Sequence, residues 1–236
     1  MRLQHPSMRL SVIVPIYNES ELVPDLLRHL SELQASEIII VDGGSTDDTW
    51  QRLHELKTDS MLCLHADTGR AVQMNTGALH AKRDLLLFLH ADTRLPSDAL
   101  ASIDDALHQH PERRWGRFDV RFDRAGPTLR VVAHAMNRRS AWTSICTGDQ
   151  AIFVYRADFL RIGGFAPIPL MEDVDLSRRL KLLSRPLRIR RAVTTSSRRW
   201  TRYGAWRTIG SMWRLRWLYW WGVPASILAG RYDRKP

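Results

Sequence analysis

With 236 residues, 44% of them hydrophobic, the chain is long enough to bury a sizeable core as one compact domain, with or without an appendage. No run of 18 apolar residues occurs, so a conventional membrane span is not expected, and Met1 to Met8 reads as too short and polar for a signal peptide. The formal charge of +10 hides an asymmetry: residues 1–175 hold 19 Lys/Arg against 24 Asp/Glu, whereas residues 176–236 hold 16 against one. A stretch so poor in carboxylates seeks phosphate, on a nucleotide, a lipid surface or a nucleic acid. The two cysteines, Cys63 and Cys146, are far apart and match no metal-binding pattern; Cys63 reads as a small hydrophobe in a reducing compartment.

In chain order the pattern predicts strand 10–15, helix 20–33, strand 37–41, helix 46–57, strand 60–64, helix 70–82, strand 85–90 and helix 96–109. Ser20, Ser45 and Thr46 suit helix starts, and Pro96 suits a first helical turn. Trp115 to Phe122 alternates apolar with charged residues, as a half-exposed antiparallel or edge strand would. A helix around 129–137 follows, then Thr147–Gln150 leading into the apolar Ala151–Tyr155. Phe159–Phe165 has the punctuation of a short connector, Glu172 opens a helix to about Leu183, and 187–193 reads as a basic strand. No internal repeat or low-complexity linker appears. Strands alternating with helices in this way make βαβ units, whose carboxyl ends gather along one sheet edge.

Chemistry-bearing residues stand at those ends. Leu10–Pro15 runs into Asn18-Glu19, Glu37–Val41 into Asp42–Asp47, and the greasy Leu85–Leu89 stops at His90-Ala91-Asp92. His90 and Asp92 are two apart, so on an extended backbone they share a side and point at one ligand. Residues 205–221, read as one helix, put Trp206, Ile209, Trp213, Trp217, Trp220 and Trp221 on one broad side with Arg207, Arg214 and Arg216 flanking. That face either packs on the protein's own core or lies at a membrane interface with its arginines among headgroup phosphates, extended by the short apolar 223–229.

Pro15–Glu19, Val41–Asp47, His90–Asp92 and Glu172–Leu176, in this order, resemble the family 2 glycosyltransferases of GT-A fold over roughly residues 9–200. The closest likeness is to small bacterial members with a His-Ala-Asp strand end, a Thr-Gly-Asp-Gln segment and a Ser-Arg-Arg-Trp segment. The resemblance implies an α/β domain over 9–200 with a central, mostly parallel sheet, and a basic, Trp-rich helical extension over 201–236. It also implies a hexosyltransferase that moves one sugar, with inversion, from a nucleotide-diphosphate sugar to an acceptor hydroxyl.

By that resemblance Pro15, Glu19, Asp42, Arg70, Ala91 and Asp92 bind the donor, a UDP-sugar being favoured over a GDP-sugar. Asp42 alternatively caps the following helix, and Glu19 neutralises the positive end of the first. Asp92 would hold a divalent ion, Mn²⁺ or Mg²⁺, that screens the diphosphate. His90 stands where relatives carry a carboxylate; it binds manganese, contacts a phosphate, orients Asp92, or simply hydrogen-bonds backbone. Asp173 would be the base that takes the acceptor proton, with Glu172 supporting it. Gly148, Asp149 and Gln150 would line the sugar and acceptor side, while Arg199 and Trp200 clamp phosphate and stack on a ring.

A lipid-linked or amphipathic acceptor at the inner face of the cell membrane is the leading expectation, and a soluble small acceptor the alternative. Nucleotide-sugar synthesis is disfavoured because no Gly-rich phosphate loop follows the first strand. A nucleic-acid binder is not expected, since it leaves the ordered carboxylates unexplained. A non-catalytic nucleotide-sugar binder stays open because His90 replaces an acid.

Overall fold

The computed structural model describes residues 10–124 and 126–233. The leading segment read as lacking a signal sequence lies outside the described residues. Its first half alternates β1 (Leu10–Ile16), α1 (Val23–Glu32), β2 (Glu37–Asp42), α2 (Thr49–Leu56), β3 (Met61–His65), α3 (Arg70–His80) and β4 (Leu85–Phe88). Then come β5 (Thr93–Arg94), α4 (Ala99–Gln109), β6 (Trp115–Phe122) and α5 (Pro127–Thr143). A 3-10 turn (Gly148–Gln150) leads to β7 (Phe153–Tyr155), α6 (Arg156–Arg161), α7 (Glu172–Leu180) and β8 (Leu187–Thr195). Three helices end the chain: α8 (Arg198–Tyr203), α9 (Ala205–Trp220) and α10 (Ala225–Asp233).

The strands form one mixed sheet in the order β3-β2-β1-β4-β7-β6-β8-β5. β1 pairs in parallel with β2 on one side and β4 on the other, so the winding reverses direction at β1 and β4. Loops leaving two such strands diverge to opposite faces and open a crevice beyond their carboxyl ends. Period-2 alternation sorts the core: Val12, Val14 and Ile16 of β1 pack with Leu26 and Leu30 of α1, while Ile13 faces the opposite layer with Met74 and Ala78 of α3. Each such aliphatic side chain contributes about 1.5–3 kcal/mol on burial.

Four expectations are corrected. β6 lies inside the sheet, antiparallel to β7 and parallel to β8, and only Arg121 of its eight residues is exposed. Its charged residues are neutralised rather than solvated: Arg117, 1% exposed, pairs with Asp119, which also takes Nε and Nη2 of Arg188 at 2.9 and 2.8 Å. Alternation of charge thus marked a buried ion network instead of a wet face. Second, Ser20 and Ser45 cap no helix; Leu22 and Asp48 occupy the N-cap positions of α1 and α2 without side-chain cap bonds. Third, the apolar 223–229 segment is no simple surface extension, because it starts α10 and buries Ala225 and Leu228, the latter against Leu215 of α9 and Met171. Helix α5 also runs on to Thr143, six residues past the expected end.

Among the described residues no helix is long and apolar enough to cross a membrane. Helix α9 seats Thr208 and Leu215 inward, yet Trp206, Trp213, Trp217, Trp220 and Trp221 are each 58–78% exposed. Of the two readings of this face, the inward one accounts for Ile209, which packs beside Phe122, Leu129 and Val132, and for none of those five rings.

Candidate active site

Beyond the ends of β1 and β4 lies a cleft of about 520 Å³. Pro15, Ile16, Tyr17 and Glu19 form one wall, and Gly69, Arg70 and Gln73 bring the N-terminus of α3 to it. Gly69 has φ 143°, a conformation that L side chains rarely adopt, and the helix start it makes presents unpaired N–H groups and a positive dipole end. The loops after β1 and β2 are laced together: Asn18 N–H donates to Ser45 Oγ (2.9 Å), Glu19 N–H to Thr49 Oγ1 (2.9 Å), and Thr46 N–H to Asn18 Oδ1 (2.8 Å).

Gln73, only 3% exposed, donates through Nε2 to the carbonyls of Ile16 (2.7 Å) and Val41 (2.9 Å), tying the ends of β1 and β2 together. Asp42 is fully buried and does not reach the cleft. Its carboxylate accepts from the N–H groups of Gly44 (3.1 Å) and Ser45 (3.0 Å) and from the Ser45 hydroxyl, with His65 Nδ1 at 3.3 Å.

On the opposite wall, a left-handed Met171 (φ 68°) ends the approach to α7, whose first turn carries Glu172 and Asp173. Glu172, buried, lies 3.4 Å from Arg70 Nη1. Asp173 accepts from Gly148 N–H (2.9 Å) and from its neighbour Val174 N–H (2.7 Å). Burial and then the Glu172 charge push its pKa up to about 6, against the pull of Gly148, Arg70 and Val174. Burial would also raise Asp149, but the His90 hydrogen bond and the charges of His90, Arg70 and Arg139 outweigh it and hold that carboxyl below its ordinary value. Two carboxylates of one site are therefore held apart in acidity, the arrangement that separates a proton acceptor from a permanently charged neighbour. Arg70, although lowered by burial, ends above its ordinary value because Glu172, Asp173, Asp149 and Asp92 surround it.

His90 is turned toward the 3-10 turn. Its Nδ1 lies 3.4 Å from Asp149 Oδ1, and a Cβ at Gly148 would overlap the ring at Nε2 and Cε1. Both ring nitrogens thus face the Gly148–Asp149 backbone and side chain. Asp92 stays on the cleft wall. Among the described residues no three His, Cys, Asp or Glu side chains converge to hold a metal ion. The donor set fits an ion bound through one carboxylate and phosphate oxygens, and does not fit a chelate that includes His90 as it is oriented.

The short β5 pairs with β8 through Thr93 and Thr195 and so carries the Ser196–Trp200 segment to the cleft. Arg199 and Trp200 line it, Trp200 meeting Phe122 edge-on at 5.3 Å. Pro15, Glu19, Arg70, His90, Ala91, Asp92, Asp149, Glu172, Arg199 and Trp200 are thereby brought together. Gly148 acts through its backbone. Gln150 is wholly buried, receiving Thr147 N–H on Oε1 and donating to Ser140 Oγ (2.9 Å), away from the cleft.

A second cavity of about 480 Å³ continues from the first past Arg70, His90, Asp149 and Glu172. It runs between α5 and α9, with Val131, Val132, Met136, Ile209 and Met212 on its sides and Asp173 at its polar end. Arg139 reaches it from the part of α5 beyond the expected helix. Sequence reasoning missed Gln73, Arg139 and Arg198. Gln73 was legible as a polar residue one step from Met74 on the buried side of α3, and Arg139 from the absence of any Gly or Pro before Ser144. Arg198 lies in the Ser-Arg-Arg-Trp segment, but nothing local announced its pairing with Glu19, 3.2 Å from its Nη2 and 179 residues away.

Similar structures share this fold. Residues 1–349 of S. aureus TarS match with a TM-score of 0.64 at 19% identity, over 80% of this chain and 61% of that one. The same protein with UDP-GlcNAc gives 0.66 at 19% identity, over 80% and 58%. The mannosyltransferase PcManGT of Pyrobaculum calidifontis, with GDP-Man and Mn²⁺, gives 0.58 at 23%, over 79% and 56%. The chain thus spans about three fifths of the length of these neighbours. They establish the GT-A fold, with its mixed sheet flanked by helices. The description Glycosyl transferase family 2 matches residues 11–163, well over half of the sequence, and the chain belongs to that family.

Proposed function

We propose that the protein transfers one hexose from a nucleoside-diphosphate sugar to a hydroxyl of an amphipathic acceptor, with inversion. The observation that carries this reading is the position of Asp173, with its pKa raised to about 6, at the polar end of an apolar groove and next to Glu172, which lines both that groove and the polar cleft. The diphosphate would lie over the N-terminus of α3, held by Arg70 and Arg199, in an anion site made by helix dipole and guanidinium groups. Asp92 would hold a divalent ion there, which when bound screens the phosphates and stabilises the leaving group. His90, through Asp149 and Gly148, positions the sugar side of the site. Asp173 takes the acceptor proton as its oxygen attacks the anomeric carbon from the face opposite the diphosphate. Glu172, paired with Arg70, keeps a negative charge beside Asp173 and sustains its basicity. A uridine nucleotide is the favoured donor, with the base against the Pro15–Tyr17 backbone.

The groove between α5 and α9 supports an acceptor with an apolar part, and the five exposed tryptophans of α9 and its end support peripheral contact with a membrane surface. In this reading residues 9–200 are the catalytic domain and 201–236 the membrane-facing extension. UDP- and GDP-sugars titrated with Mn²⁺, Mg²⁺ or chelator test the donor side. Asp173→Asn should bind the same donor within a few-fold while transfer falls by about 10²–10⁴. Unchanged transfer would remove Asp173 as the base.

A further inference from the structure

Arg139 is a site side chain whose chemistry the reaction above leaves unused. Its Nε and Nη2 are shielded from solvent and meet no hydrogen-bond partner. The nearby carboxylates are committed elsewhere: Asp173 to the Gly148 and Val174 N–H groups, Asp149 to His90. Burial lowers the Arg139 pKa against the attraction of Asp173 and Asp149, yet a guanidinium remains protonated throughout the physiological range. A shielded cation with unspent donors is stable only beside an anion that completes its bonds.

The place of Arg139 indicates what that anion is attached to. It stands where the apolar groove meets a third cavity of about 390 Å³, in which Arg178, Lys181 and Arg216 stand among the apolar Ile145, Val174 and Trp220. Arg216 borders both cavities. Among the described residues no ion pair occupies Arg178, Lys181 or Arg216. Apolar walls on one side and four cations on the other complement a molecule that is greasy along its length and carries an oxyanion near its reacting end.

Resting on the transferase reading, we propose that the acceptor is a phosphate-bearing amphiphile: its chain lies between α5 and α9, and its phosphate is read by the fork of Arg139 with Arg216 behind it. The planar guanidinium matches two phosphate oxygens at once, which a lysine ammonium does not.

Three probes test this on the full chain, followed by the fluorescence of Trp200, Trp206 and Trp213, which line the groove. They are decyl phosphate, neutral decyl glucoside and inorganic phosphate, each below its aggregation limit. Wild type should bind decyl phosphate at least about tenfold more tightly than decyl glucoside. Arg139→Gln should reduce that preference to about threefold or less, and Arg139→Lys should keep part of it. Both variants should retain the wild-type circular dichroism, since neither creates an unpaired buried charge. Equal binding of the two amphiphiles, or full preference in Arg139→Gln, would overturn the proposal. Inorganic phosphate displacing decyl phosphate at equal concentration would also overturn it, by showing a free-phosphate site. UDP-sugar binding is measured in parallel on wild type. A lost nucleotide signal beside an intact decyl phosphate preference defeats the transferase reading alone, and the reverse outcome defeats the groove assignment alone.

Discussion

The two walls of the cleft handle buried polarity in opposite ways. On the wall built from β1, β2 and α3, Asp42 and Gln73 are buried and spend their groups on nearby backbone, so the wall is finished before any ligand arrives. On the wall built from α5, the 3-10 turn and α7, Asp173 is held at raised pKa beside another acid, and Arg139 keeps donors unspent. The first arrangement costs little, because each buried polar group has its bond. The second stores unfavourable electrostatics, which is useful only where a ligand or a proton relieves it. Satisfied polarity is therefore concentrated on the first wall and unrelieved charge on the second.

The sharpest way to break that contrast is at Gly148, where the two walls touch. A methyl group there overlaps the His90 ring, and the backbone N–H of the same residue holds Asp173. Gly148→Ala should lower stability by about 1–3 kcal/mol through overpacking. It should also reduce transfer by more than that loss explains at a temperature where the variant stays folded, since the base and the His90–Asp149 pair both shift. Thermal unfolding and single-turnover transfer measured on one preparation separate the two effects. Wild-type transfer in the variant would show that the walls are not coupled through this residue.

How much of each wall was legible from the residues follows the same division. β1, β2 and β4 were readable because continuous Val, Ile and Leu runs end in polar residues, and the loops beyond them carry their partners within a few positions or across one βαβ unit. The contacts that tie the other wall to distant parts of the sequence reach far along the chain: Arg70 to Glu172 and Arg198 to Glu19. Periodicity carries no information about such pairings. β5, two residues long, is below any pattern, yet it carries Trp200 to the site. Asp42 and Gln150 show the converse: a motif names a residue, and packing here turns both side chains toward the scaffold.

A smaller effect tests the electrostatics of the reactive wall. Asp173 must be ionised to accept a proton, so transfer should fall as pH drops through about 6. For folding the sign is opposite. The folded chain holds this proton more tightly than the unfolded one, so the group favours the fold most below its ordinary value of 3.8 and loses that contribution as pH rises to about 6. Burial is the first cause of the shift and Glu172 the second. Glu172→Gln removes the like charge and frees Arg70 to act on Asp173, and both changes move the acidic limb to lower pH. A pH–rate profile of the variant checks this, and an unmoved or raised midpoint would mean that burial alone sets it.

The smallest expected change in stability lies furthest from the chemistry, on the outward face of α9. Trp217 and Trp221 are 58% and 67% exposed, line none of the three cavities, and neither belongs to the cluster formed by Met171, Leu215 and Leu228. Replacing both by alanine should alter folding stability by no more than about 0.5 kcal/mol per site. The face nevertheless places large amphipathic rings beside Arg214 and Arg216, in a segment with sixteen basic residues and one acid. Rings at this position gain by entering the headgroup boundary, and the arginines gain from anionic lipid, so flotation with anionic liposomes should drop in the double variant. High salt should weaken the wild-type association and leave less difference between the two proteins. Equal flotation of the folded variant and wild type would count against a membrane role for this face and leave the groove as the acceptor's only apolar contact.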